Sequence, residues 1–316
     1  MIIVGAGMAG LLAANMLARR VPKVIEAQAK LPNNHSAVLR FRSSVVGDVL
    51  GIPFRKVQMI KAPLPWRNPV SDALAYSYKC TGQYRSDRSI TAGFVTQTRY
   101  IAPNNLIERM AEIVHITFET PFSGDHFGHR REDEALISTL PMPDLMRMLR
   151  YPDTPEFNYI NGINIKATVQ NCDAFVSLLI PDPEQWVSRI SITGNELIIE
   201  LPMVNSCTVP KQVVKWAAEQ LGISVSDIEC IDTHKQTYAK IAPIDNDVRK
   251  RFIAWATDNH NIYSLGRYAT WRPNLLLDDL VNDIRCIESW VSNPPALRQH
   301  RYEAISRYMA GKEDRT

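Results

Sequence analysis

The sequence predicts an α/β protein in which a parallel strand–helix unit, built from both ends of the chain, receives an inserted antiparallel sheet. Three observations carry this. A short apolar strand, Met1 to Val4, runs directly into the glycine-rich turn Gly5-Ala6-Gly7-Met8-Ala9-Gly10 and an apolar helix. The middle of the chain, Glu156 to Glu200, holds successive long strand-like runs instead of alternating strands and helices. Near its end the chain returns to a strand followed by a helix, Ile262 to Leu265 and Leu275 to Ser292, the pattern of a parallel unit.

Taken in order, Met8 to Arg20 has apolar residues on every helical face, as suits a helix packed against a sheet, and Pro22 stops it. Lys23 to Glu26 is the next strand. Asn33-Asn34-His35 marks a turn, after which Ala37 to Phe41 is apolar with Arg40 and Arg42 set into it. Strand-like segments follow at Gln58 to Lys61, Ala73 to Tyr78 and Thr91 to Thr98, separated by Pro and Gly turns. Asn104 to Glu112 is a helix opened by Pro103 and Asn104, and His115 to Phe118 a strand. A polar loop, Ser123 to Glu134, leads to the strand Ala135 to Thr139 and the short helix Asp144 to Arg150.

The long strands are Tyr159 to Gln170, Phe175 to Ile180, Trp186 to Ile192 and Glu196 to Leu201, with Gly194-Asn195 as a hairpin turn. Lys211 to Leu221 is an amphipathic helix, Gln236 to Ile241 a strand and Val248 to Asn259 a helix. Gly311 to Thr316 reads as a frayed polar tail. This order assigns residues 1–60, 100–150 and 255–316 to a discontinuous nucleotide-binding domain, and 61–99 and 151–254 to a substrate domain.

Composition narrows the class. With 45% hydrophobic and 22% charged residues, this is an ordinary globular chain. Met1 to Leu17 lacks a basic residue before it, contains three glycines and Asn15, and runs into Arg19-Arg20; it is read as neither a signal peptide nor a membrane span. The five cysteines (Cys80, Cys172, Cys207, Cys230, Cys286) have neither disulfide-framework nor zinc spacing. A reducing, cytoplasmic setting is expected. His126 and His129 read as part of a turn, not as metal ligands. The net charge of +3 hides an asymmetry: the first hundred residues hold 14 Lys and Arg against 4 Asp and Glu, the remainder 22 against 29. Such a block attracts an anionic partner, either a bound dinucleotide or a separate polyanionic substrate.

The glycine turn has the G-x-G-x-x-G pattern between a strand and a helix. Gly5 permits the tight turn, Gly7 lets a pyrophosphate approach the backbone, and Gly10 lets helix and strand pack closely. The helix N-terminus, with its free N–H groups and partial positive charge, then faces the anion, and Ala6, Met8 and Ala9 are read with the glycines as cofactor-binding. Glu26 ends the second strand where a carboxylate accepts ribose hydroxyls. Together these define a Rossmann-type dinucleotide site.

A second signal is the strand ending in Leu265-Gly266-Arg267, followed by Trp271-Arg272-Pro273 and a long helix beginning near Leu275. With the glycine loop, it resembles the flavoprotein superfamily of FAD-dependent amine oxidases, protoporphyrinogen oxidases and UDP-galactopyranose mutases. Three further stretches are similar to that superfamily: Ala135 to Pro141 to its Thr-x-Pro turn, Trp186 to Ile190 with Ile198 to Pro202 to its substrate-side hairpin, and Thr237 to Ile241 to the strand before its terminal helix. The resemblance implies FAD as cofactor, with Gly266, Arg267 and Leu275 beside it. Relatives carry an Arg-x-Gly-Gly segment after the ribose carboxylate; here His35 to Ser43 has no glycine pair, and Arg40 or Arg42 is expected near the pyrophosphate or flavin edge instead.

The resemblance also implies oxidation of a C–N bond in an amine or amino-acid-like group. Many amine oxidases place a lysine near the reactive flavin nitrogen, and Lys240 and Lys166 are the candidates; each is otherwise an outward lysine on a half-exposed strand. Trp271 and Tyr238 are expected to wall the pocket, although a core role for Trp271 fits equally. His35 is either an acid or base beside the flavin or an exposed turn residue. Small flavoproteins similar to amine oxidases act in phage pathways on amino-acid-modified thymines, so a large anionic substrate in DNA is included, with nucleic acid as an open partner. The alternatives are a nucleotide-sugar mutase, whose basic residues would grip a diphosphate, and a non-catalytic FAD-binding protein. An NAD-dependent dehydrogenase lacks a recognisable acid–base pair. No membrane partner is expected, and the oligomeric state is not legible.

Overall fold

In the computed structural model, which describes residues 1–31, 40–65, 68–85, 90, 93–123, 134–202 and 211–292, the chain forms two sheets. Strands β1 (Ile2–Val4), β2 (Lys23–Ile25), β6 (Ile116–Thr117), β7 (Leu136–Ser138) and β13 (Ile262–Ser264) make the smaller one. Its order is β13-β7-β1-β2-β6 and every pairing is parallel. These strands are short and mostly apolar, as strands covered on both faces are. Ile3, Val24, Ile137 and Tyr263 pack with helices α1 (Met8–Met16), α4 (Leu106–Ala111) and α8 (Leu277–Val291) through Leu11, Leu106, Met110, Leu280 and Ile284. Val4, Leu136 and Ile262 turn the other way, against α5 (Met142–Met148) and α7 (Asn246–His260). Each fully buried Leu or Ile contributes roughly 1.5–3 kcal/mol.

The larger sheet contains β3 (Arg40–Phe41), β4 (Arg55–Pro63), β5 (Val95–Ile101), β8 (Tyr159–Val169), β9 (Ala174–Leu179), β10 (Arg189–Gly194), β11 (Glu196–Pro202) and β12 (Ile228–Ile241). They run in the order β12-β8-β11-β10-β9-β4-β5-β3. Neighbours are antiparallel except β4 and β9, which pair in parallel and join the two stretches of inserted chain. The expected division at residues 60 and 100 thus passes through β4 and β5, and β3 pairs in this sheet as well. One face buries Ile163, Ile165, Ile190, Ile192, Leu197 and Ile199 against Val214, Ala217 and Ala218 of α6 (Lys211–Leu221). Because side chains alternate along a strand, the intervening residues form a second, polar face.

Two local expectations are corrected. Ala73 to Tyr78 is not a strand but lies in helix α3 (Pro69–Thr81). The Asn68 side chain accepts from the Val70 N–H at 2.9 Å, Pro69 sits at the first helical position, and Gly82 closes the helix at φ 71°. These cap signals outweigh the strand-like reading of the segment. Helix α2 (Val45–Leu50), unanticipated from the sequence, ends similarly at Gly51, φ 65°. His35, His126, His129, Cys207 and the tail Gly311 to Thr316 lie outside the described residues. No described helix is long and apolar enough to cross a membrane.

Lys79 of α3 ties the helix to the larger sheet. Its buried ammonium donates to the carbonyls of Ile180, Asp182 and Val187 at 3.1, 2.6 and 2.7 Å. Burial pushes its pKa down to about 8, against the opposing influence of Cys80 and Asp182. Lys79→Met leaves three carbonyls short of a donor, and a loss of about 2–4 kcal/mol is expected in urea unfolding. The unfolded chain binds more protons between pH 8 and its ordinary lysine value of about 10.4. Lys79 therefore adds stability as pH rises through that interval, and the Met variant should lack this rise.

Candidate functional site

Parallel pairing sets the carboxyl ends of β1, β2, β7 and β13 along one edge of the smaller sheet. The chain leaves β1 for β2 on one side and later lays β7 on the other, so a topological switch point lies at the end of β1, where open α/β sheets bind ligands. Gly5 follows β1 at φ +94°, and a Cβ there would collide with the Thr139 hydroxyl just beyond β7. A Cβ at Gly10 would strike the carbonyl of Gly5, so this glycine sets how closely α1 approaches the strand.

Gly7 differs. Its backbone is extended (φ −77°, ψ −178°) and a Cβ would meet nothing within 4 Å. Neither the conformation nor the packing of the described residues requires glycine there, and the space beside its backbone is open. Gly7 is also the N-cap of α1, with no side-chain cap and no acidic residue in the first turn. The positive end of the helix therefore remains available to an anion. Met8 and Ala9 open the helix, Met8 buried and Ala9 partly so.

Glu26 lies beside this loop. One carboxylate oxygen accepts from the Ala6 N–H at 2.7 Å and the other from the Gln28 N–H at 3.0 Å. Gly266, at φ +100°, stands on the opposite side, where a Cβ would come within 3.2 Å of the Ala9 Cβ. The structure thus brings together Gly5 to Gly10, Glu26 and Gly266. The loop after Gly266 is tightly tied: Thr270 donates twice to the Gly266 carbonyl, Arg272 pairs with Asp283 of α8, and Leu275 donates to the Arg272 carbonyl at 3.1 Å. Arg267 is partly buried with its guanidinium 5.9 Å from the Tyr268 ring.

Other expected residues are placed differently. Arg40 lies on β3 of the larger sheet, bound to Ser191 Oγ at 3.0 Å and to the Met59 sulfur. Lys166 pairs with Glu196 at 2.6 Å. Lys240 Nζ donates to Glu200 at 2.7 Å, and Arg189 Nε reaches the other oxygen of the same carboxylate at 2.8 Å. Both lysine candidates are ion-paired. Trp271 is 1% exposed, at φ 45°, with its indole N–H given to the Ala242 carbonyl at 2.8 Å. Of its two expected roles, this placement is the core one. Tyr238 sits at an irregularity of β12 with φ 56°, its ring among Tyr159, Tyr268 and Trp271. Such bulges re-aim a side chain.

The polar face of the larger sheet carries residues that sequence reasoning passed over. Cross-strand register sets Lys61 against Ser177, Ser177 against Ser191, and Arg189 against Glu200. Asn164 Nδ2 donates to Gln236 at 2.9 Å, and Gln236 continues to the Tyr268 hydroxyl at 3.4 Å, linking this face to the Gly266 loop. Burial alone would raise the Glu200 carboxyl, but Arg189 and Lys240 outweigh it and hold it well below the usual range. Burial pushes Arg40 down to about 9, helped by Arg189 and opposed by Glu200. Glu200 was within reach of the sequence: counting outward from the turn at Gly194-Asn195 sets it opposite Arg189.

No protein-family model matches this sequence, and no curated protein matches it. Solved structures do. Reduced UDP-galactopyranose mutase superposes with a TM-score of 0.64 at 13% identity, over 95% of this chain and 97% of that one. Aklavinone-11 hydroxylase, in a ternary complex with FAD and aklavinone, gives 0.52 at 11% identity over 94% of this chain; this chain spans 62% of the hydroxylase. A flavin-dependent halogenase from Xanthomonas campestris gives 0.56 at 10% identity over 99% and 75%. The chain has the fold of these flavoproteins.

Proposed function

We propose that the protein is an FAD-dependent oxidoreductase that acts on a C–N bond of an amine or amino-acid-like group, carried on a larger anionic substrate. The observation that carries the cofactor assignment is Gly7: glycine at a position where the protein leaves room for a side chain, on an uncapped helix N-terminus beside Glu26. Gly7 and the N–H groups that open α1 would hold the pyrophosphate, Glu26 the ribose hydroxyls, and the Gly266–Arg267 turn the opposite side. Bound FAD would supply a two-electron centre that accepts a hydride.

The chain's own residues would do the rest. Tyr159, Tyr238 and Tyr268 offer aromatic surface between the Gly266 loop and the polar sheet face. The cations of that face disfavour a substrate ammonium, which raises the fraction of free amine, the form from which hydride leaves. Amino-acid-modified thymine in DNA is one substrate of this description. A nucleotide-sugar mutase is the second reading, favoured by the same cations, which suit a diphosphate.

The test is a visible spectrum of the purified protein, with the released cofactor identified by chromatography. FAD is expected, bleached anaerobically by amines that carry phosphate or carboxylate. Rearrangement of UDP-galactopyranose by reduced protein, with no amine bleaching the flavin, would favour the mutase. A colourless protein that takes up no added FAD would overturn both.

A further inference from the structure

We propose that the polar face of the larger sheet is a seat for a multiply charged, phosphate-type group of the substrate, gripped by Arg40, Lys61 and Arg99 with Arg42 at its rim. The proposal rests on the FAD reading only in calling the ligand a substrate.

Strand register brings these residues together. Arg40 on β3 reaches Ser191 on β10, and Ser191 lies beside Ser177, which pairs with Lys61 on β4. Arg99 on β5 opposes Val57, on the same face of β4 as Met59 and Lys61. Arg42 follows β3, and its backbone N–H binds Asp278 in the first turn of α8. The site therefore lies where the larger sheet meets a helix of the nucleotide-binding unit.

A partner count then separates these cations from an ordinary solvated face. The guanidinium of Arg40 binds a hydroxyl and a thioether, and that of Arg99 binds the Thr98 carbonyl at 2.7 Å and the Gln97 side chain. Among the described residues, the Lys61 ammonium has neither a hydrogen bond nor an ion pair, and the two carboxylates near the cluster are both committed. Glu200 holds Arg189 and Lys240. Asp278 accepts from the N–H groups of Arg42 and Ser43, at 3.1 and 2.9 Å, and from the Ser43 hydroxyl at 2.9 Å.

Partly buried like charges without a counter-ion are costly. Burial and mutual repulsion push Lys61 and Arg99 below their ordinary values, as they do Arg40. An anion entering the cluster relieves that repulsion, and a dianion does so better than a carboxylate. Ser177 and Ser191, 3.3 Å apart and buried, add hydroxyls to the floor. The cofactor's own phosphates are a poorer occupant, because the uncapped end of α1 already provides for them and belongs to the other sheet.

The experiment is titration calorimetry of the FAD-loaded protein with inorganic pyrophosphate, and with acetate as a monoanion. Pyrophosphate should bind, and Lys61→Met and Arg99→Gln should each weaken it at least about tenfold with FAD content unchanged and the melting temperature no lower. Acetate should bind at least about tenfold more weakly than pyrophosphate. No pyrophosphate binding, binding indifferent to both variants, or acetate binding as tight would overturn the proposal. So would loss of FAD from both variants with pyrophosphate binding intact, which would assign the cations to the cofactor. A protein that takes up no FAD yet binds pyrophosphate through these residues would sink the flavin reading and leave this site standing.

Discussion

Gly7→Val is expected to lower FAD affinity by roughly a hundredfold or more, on the order of 3 kcal/mol, in a protein that still folds. The separation rests on an asymmetry within one motif. A Cβ at Gly7 enters open space in an extended backbone that any residue adopts. Valine there therefore disturbs a ligand and not the protein. Gly10→Val makes the opposite case, since its side chain is driven into the Gly5 carbonyl and forces α1 away from β1. Apo-protein melting temperatures, read alongside flavin content after gel filtration, distinguish the two. A Gly7→Val protein that keeps its FAD with unchanged affinity would remove the glycine loop from the cofactor site.

Glu200→Gln should cost roughly 3–5 kcal/mol, because it strands two cations that share one buried carboxylate. Gln keeps the shape and one acceptor, so the loss reports charge more than packing. Its pH dependence follows from linkage. The folded-state carboxyl is held below its unfolded value of about 4.3. Its stabilisation is fully present above that value and is lost as pH falls through the folded one. The gap between wild type and variant in urea melts should therefore be constant near neutrality and narrow below about pH 4. A gap that does not narrow at low pH would mean that the loss does not come from the charge of this carboxylate.

The nucleotide-binding half was legible because its signals are local. Gly5, Gly7, Gly10 and Glu26 lie on one strand–turn–helix–strand run, and their roles follow from backbone sterics at fixed spacing. Gly266 was legible as a strand end, though nothing in the sequence states that it would face Ala9. The cationic sheet face was not read, since it depends on β4 pairing with β9 in parallel, a contact between distant segments that no turn specifies. Arg40 was singled out for the pyrophosphate or flavin edge, and without that pairing its neighbours Lys61, Ser177 and Ser191 stay invisible. Ala73 to Tyr78 misled for a different reason: Pro69 and Gly82 read as turns between strands, whereas they open and close a helix.

The position of β1 between β2 and β7 has a consequence for how the molecule is made. One neighbour of β1, the strand β2, follows after a single helix and a turn, while β7 and β13 emerge only after longer stretches of inserted chain. On the ribosome, at about 5–20 residues per second, the glycine turn is made before Thr139 and Gly266, which close around it later. If the turn holds FAD as proposed, cofactor capture would favour chains in which that closure is complete, by mass action.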